Sequence, residues 1–195
     1  MRVMHPAIGP CLSIAVAACV GPTGRPSFAN LLQEAPSDVP ARFELAGDRL
    51  VGAAVPLGPG SLPAAVRTTF DAIAPGGRTT FVGRESGERG EGYRLEKAYT
   101  EGVTTRTRSV LAATDGSVLE RWHSVAIAEV PQQVLTVALR TGPTIEDARI
   151  VSGPEREEHW TFVVRDRGGR TFVVDVGLAG EPLGRRRRTN AVVEG

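Results

Sequence analysis

Two histidines in the body of the chain, His123 and His159, are the residues best suited to proton transfer near neutral pH; a third, His5, lies at the start. His123 follows Trp122, and His159 precedes Trp160. A metal site would need further His, Cys or carboxylate ligands at regular spacing. Only Glu155, Glu157 and Glu158 lie near His159, and a glutamate-rich turn reads as a solvated surface. No metal site and no cofactor are expected. The sequence contains no G-x-S-x-G, H-E-x-x-H, P-loop or G-x-G-x-x-G pattern. A Ser-His-Asp set drawn from distant positions stays open in principle. With two candidate histidines and no nucleophile elbow, the expectation is a protein that is not an enzyme.

Both cysteines, Cys11 and Cys19, lie near the N-terminus, so the rest of the chain has neither a disulfide nor a thiolate ligand. Residues 1–18 combine one basic residue, Arg2, with an apolar run from Ala7 to Ala18. That run is shorter than the roughly 20 residues a membrane span requires and has the length of a secretory h-region. It ends Val16-Ala17-Ala18-Cys19, which resembles a bacterial lipobox. In that reading the Cys19 thiolate accepts the lipid and the chain becomes a membrane-anchored lipoprotein of the envelope, periplasmic or surface-exposed. Ordinary cleavage after Ala15-Val16-Ala17 and an uncleaved N-terminus are the alternatives.

The formal net charge is +1, from 23 basic and 22 acidic residues. Arg2 is the only charged residue among the first 18, so the trimmed chain balances. Nothing in that balance points to nucleic acid, which needs a basic excess. The one charge run, Arg185, Arg186, Arg187 and Arg188, reads as a solvated, disordered basic tail, with anionic lipid or an acidic partner as the functional alternative. Among the aromatics, Tyr93 and Trp160 sit in alternating apolar patterns and are assigned to the core. Trp122 and Tyr99 are the candidate binding anchors, Trp122 because it lies at the junction of two repeated segments.

Those segments supply the elements. Pro63 and Pro131 each open a helix-like stretch, as proline tolerates the first turn. Leu62, Val66, Phe70 and Ile73 form one stripe at helical spacing, and Val130, Val134 and Ala138 form the other. Pro75-Gly76-Gly77 and Gly142-Pro143 stop them. Three strands follow each helix: 78–85, 92–100 and 103–113 in the first segment, then 147–152, 159–166 and 170–177 in the second. Gly116–Leu119 and Gly180–Leu183 close the two segments.

The pattern resembles the PepSY family and its PepSY-like relatives. Leu62-Pro63-Ala64-Ala65-Val66, Tyr93-Arg94-Leu95 and Asp115-Gly116-Ser117-Val118-Leu119 carry the resemblance in the first unit. Val130-Pro131, Trp160-Thr161-Phe162 and Gly180–Leu183 carry it in the second, which lacks the Asp-Gly pair. The resemblance implies secreted or envelope-anchored proteins, some of which restrain peptidases, and a fold similar to that of the β-lactamase inhibitor protein.

The resulting expectation is an α+β fold of two tandem helix-plus-antiparallel-sheet units. Residues 1–18 form a signal peptide, 19–40 a tether, 41–60 lead-in strands, 61–122 and 123–184 the two units, and 185–195 the basic tail. The expected function is non-catalytic binding of a peptide or protein in the envelope, on the open sheet face or in the groove between the units. A structural lipoprotein without a specific client is the alternative, and an enzyme of unrecognised type the third.

Overall fold

The computed structural model describes residues 28–33, 39–73, 75–87, 90–154 and 156–192. Signal-peptide and lipidation assignments, Cys19 included, fall outside them. Helix α1 (Phe28–Gln33) precedes strands β1 (Ala41–Ala46) and β2 (Arg49–Pro56). Helix α2 (Ala64–Ile73) leads into β3 (Arg78–Gly87), β4 (Gly90–Glu101), β5 (Thr104–Ala112) and β6 (Val118–Ser124). Helix α3 (Gln132–Leu139) leads into β7 (Thr144–Gly153), β8 (Arg156–Arg165), β9 (Thr171–Gly177) and β10 (Pro182–Ala191).

The two-unit α+β expectation is corrected here. All ten strands form one closed antiparallel barrel in sequence order, and β1 pairs with β10 from Ala41↔Ala191 to Leu45↔Arg187. A separate sheet for each helix would leave unpaired edges; closure removes them. Helices α2 and α3 are each followed by four strands, one more than the three read after each from the sequence. The residues expected as a disordered tail, Arg185–Arg188, form the central part of the closing strand β10. Part of the expected tether is packed as well, since Leu31 in α1 is buried against Phe43, Leu45, Ala53 and Val55.

The apolar core lies outside the barrel wall, in three packets under the three helices. Val66 and Phe70 of α2, with Leu62 just before it, pack on Val82, Leu95 and Val110. Val134 and Ala138 of α3, with Val130, pack on Trp160, Phe162, Val164 and Val174. Both closing turns meet the helix that opens their segment. Gly116, at φ +84°, lies against the first turn of α2, where a side chain would meet the Ala65 carbonyl at 2.8 Å. The Thr69 hydroxyl donates to the Gly116 carbonyl at 2.8 Å. Gly180, at φ +95°, sits beside Gln133 of α3.

No helix among the described residues is long and apolar enough to cross a membrane. A barrel that spans a bilayer turns an unbroken apolar belt outward. Here the outer wall carries three helices, with Arg108, Arg121 and Arg185 exposed between them.

Candidate functional site

Side chains alternate across a strand, so the faces that turn away from the helices meet in the lumen. These faces carry a buried charge network, set beside apolar residues such as Leu111, Val151, Val163 and Val173. Arg42 and Glu44 project from β1, Glu85 from β3, Arg94 and Glu96 from β4, Glu120 from β6, Arg149 from β7, Asp175 from β9, and Arg186 and Arg188 from β10. The Arg42–Glu96 pair, 3.7 Å apart, reaches across the barrel from the first strand to the fourth.

Arg94, 3 % exposed, donates from Nε and Nη2 to Glu85 at 2.9 and 3.0 Å and from Nη2 to Glu120 at 2.8 Å. Burial alone would lower its pKa, but Glu85 and Glu120 reverse that and hold it above the usual arginine value. Arg186 donates to Glu44 at 2.9 Å and meets Asp175 at 2.6 Å. Arg188 donates to the other oxygen of Glu44 at 3.0 Å. Thr161 donates to Asp175 at 2.8 Å. Arg149 pairs with Asp147 and lies 3.8 Å over the Trp122 ring. Burial holds Arg42 and Arg149 below the ordinary arginine pKa; the charge of Arg188 adds to the depression of Arg42, whereas at Arg149 the opposing charges of Asp147 and Glu96 outweigh the smaller contribution of Arg188. Two of the four arginines expected in a solvated tail are therefore half-buried structural partners of Glu44 and Asp175.

The network leaves a cavity of about 80 Å³ between β1–β4, β6–β8 and β10. Six arginines line it, namely Arg42, Arg94, Arg149, Arg156, Arg186 and Arg188, against three glutamates.

On the outside of the wall a groove of about 730 Å³ runs between α2 and strands β4–β7. Ile73, Val110 and Val118 give it an apolar floor, and Arg108, Arg121 and His123 are its basic groups. None of its described lining residues carries a carboxylate. The structure brings both candidate anchors here. Tyr99 borders the groove with Arg108 stacked over its ring at 4.5 Å. Trp122 borders both the groove and the lumen cavity, but it is only 5 % exposed and its ring is covered by Arg149. It divides the two spaces, which a surface anchor would not do.

Ser109 and His123 both border the groove without forming a nucleophile–base pair. Ser109 is paired with Trp122, and His123 with Arg108, the residue before Ser109, so the two side chains leave the wall on opposite faces. His159 is buried and its Nδ1 lies 3.0 Å from the Glu157 carbonyl, while Glu157 and Glu158 are exposed. Among the described residues no three His, Cys, Asp or Glu side chains gather to hold a metal ion. Sequence reasoning missed the lumen network. Its only local signal was the alternation of charged with apolar residues in strands such as Gly92–Lys97, which marks two faces without saying that both are buried.

No protein-family model matches the chain, and no curated protein matches it in sequence. The PepSY resemblance thus has no family match behind it. Two solved structures are similar in part. A candidate periplasmic protein from Bacteroides eggerthii aligns with a TM-score of 0.47 at 13% identity, covering 66% of this chain and 90% of its own. A BLIP-like protein from Bacteroides fragilis aligns with a TM-score of 0.42 at 17% identity, covering 69% of this chain and 89% of its own.

Proposed function

We propose that this chain is an exported, non-catalytic binding protein of the bacterial envelope. It docks an acidic, partly apolar segment of a partner protein in the groove between α2 and the β4–β7 wall. A lipid on Cys19 holds it at a membrane. The groove carries this reading: its volume of about 730 Å³ falls within the usual range of ligand pockets, with an apolar floor and a basic rim that no lining carboxylate neutralises. In this reading the binding surface lies on the outer wall, not on the open sheet face or in the groove between two units expected from the sequence. The inner face holds its own ion pairs and is not open to a macromolecule.

Charge complementarity of this kind steers encounter and selects partners. Capture of an envelope protein by the soluble domain should therefore weaken with salt. Arg121→Glu with Arg108→Glu should abolish it, and Arg167→Glu in the exposed β8–β9 turn should leave it intact. The captured segment, mapped by cross-linking and mass spectrometry, should be rich in Asp and Glu. Capture that is insensitive to the groove substitutions would overturn the proposal. Labelling with a fatty-acid analogue tests the anchor separately: the label should be lost in Cys19→Ala, and equal labelling of both forms would remove that part.

A further inference from the structure

We infer that the lumen cavity is a binding site for a small multivalent oxyanion of the phosphate or sulfate kind. The site is independent of the outer groove. Its volume, about 80 Å³, is that of two or three waters or one tetrahedral oxyanion. Six arginines and three glutamates line it, and the three further carboxylates that complete the charge balance, Glu120, Asp147 and Asp175, do not. Arginines outnumber carboxylates two to one in the lining, and Glu120, Asp147 and Asp175, which pair with Arg94, Arg149 and Arg186, stand outside it.

Donor capacity points the same way. Each guanidinium carries five N–H donors in a fixed fork suited to phosphate. Arg42 makes no hydrogen bond to its nearest carboxylate, Glu96, at 3.7 Å, and otherwise rests 4.9 Å over the Phe81 ring. Arg94 Nη1 and Arg188 Nε are buried without a hydrogen-bond partner. Arg42, Arg149 and Arg188 come from three different strands and stand close enough for their charges to act on one another. Such a cluster of like charges in a poorly solvated site is stabilised by an anion that accepts from several of the forks at once. The same cluster gains less from a single carboxylate oxygen.

The test uses protein purified free of oxyanions and titrated with inorganic phosphate and with sulfate, at constant ionic strength maintained by chloride. The expected result is one-to-one saturable binding by calorimetry and a rise in melting temperature that chloride does not reproduce. Arg42→Gln should weaken binding at least tenfold, and Arg42→Lys should weaken it too, because the charge stays but the fork is lost. Arg108→Gln, on the outer groove, should bind as the wild type does. No heat and no rise beyond that of chloride in the wild type would overturn the inference, whether or not the variants fold. Undiminished binding by a folded Arg42→Gln, or equal loss in Arg108→Gln, would also overturn it.

Discussion

Glu44 on the first strand accepts a hydrogen bond from Arg188 on the last at 3.0 Å, across 144 residues of sequence, and the two stand directly opposite in the β1–β10 pair. The same carboxylate accepts from Arg186 at 2.9 Å. One buried acid therefore serves two arginines of the strand that closes the barrel. Removing one partner of a buried ion pair costs about 3–5 kcal/mol, because the other charge is left uncompensated. Glu44→Ala should lower stability by that order in urea denaturation. A change below about 1 kcal/mol would mean that Glu44 is solvated and β10 is not docked.

Deletion of residues 182–192 separates a strand from a tail. Without β10, strands β1 and β9 become open edges, and Glu44 and Asp175 lose their arginines. The shortened protein should lose cooperative thermal unfolding by circular dichroism. A sharp, unshifted melt would be the behaviour of a dispensable tail.

Val66 and Val134 are both fully buried under their helices. Val66→Ala and Val134→Ala should each cost about 1–3 kcal/mol, the loss of two methyl groups with incomplete collapse of the site. Arg67→Ala, one position round α2 and exposed, should cost under about 0.5 kcal/mol. Comparable losses in all three by denaturant titration would contradict the packing of α2.

Asp166 caps the β8–β9 turn, accepting from the Gly168 and Arg170 amides at 2.9 Å each. The Arg170 backbone bond is the main cause that holds its carboxyl below the usual aspartate pKa; burial opposes it, and the Arg170 side chain and the Gly168 amide add to it. A depressed acid stabilises the fold above its unfolded pKa, near 3.8, and the contribution is lost as pH falls through the lower folded value. Side-chain NMR titration should place Asp166 below that reference. Asp166→Asn should flatten the acid side of the stability profile, and an unshifted titration would contradict the turn geometry.

The helix stripes were legible because Leu62, Val66 and Phe70 face one packed layer, which 3.6-residue spacing reports directly. Closure was not. It depends on Glu44 meeting Arg186 and Arg188, and no local pattern records a partner more than 140 residues away. Strand β6 was hidden for a related reason. Glu120, 2 % exposed, faces the lumen while Arg121 faces solvent, so both faces of Val118–Ser124 carry charge and the polarity rule fails to mark the buried side. The arginine run read as a tail because four consecutive charges normally seek water; in an alternating strand, only two of them face inward. Trp122 lies at the junction of the two repeated segments and Tyr99 within β4, and the structure sets both on one groove while hiding the Trp122 ring behind Arg149.

The outer groove as the working surface is tested most directly by photo-cross-linking in native envelopes, with a photoreactive residue placed once at position 121 and once at position 167. The expected result is a discrete product from position 121, joined to an acid-rich segment of one partner and competed by unlabelled wild-type domain, with none from position 167. The same products from both positions, or none from position 121, would contradict it.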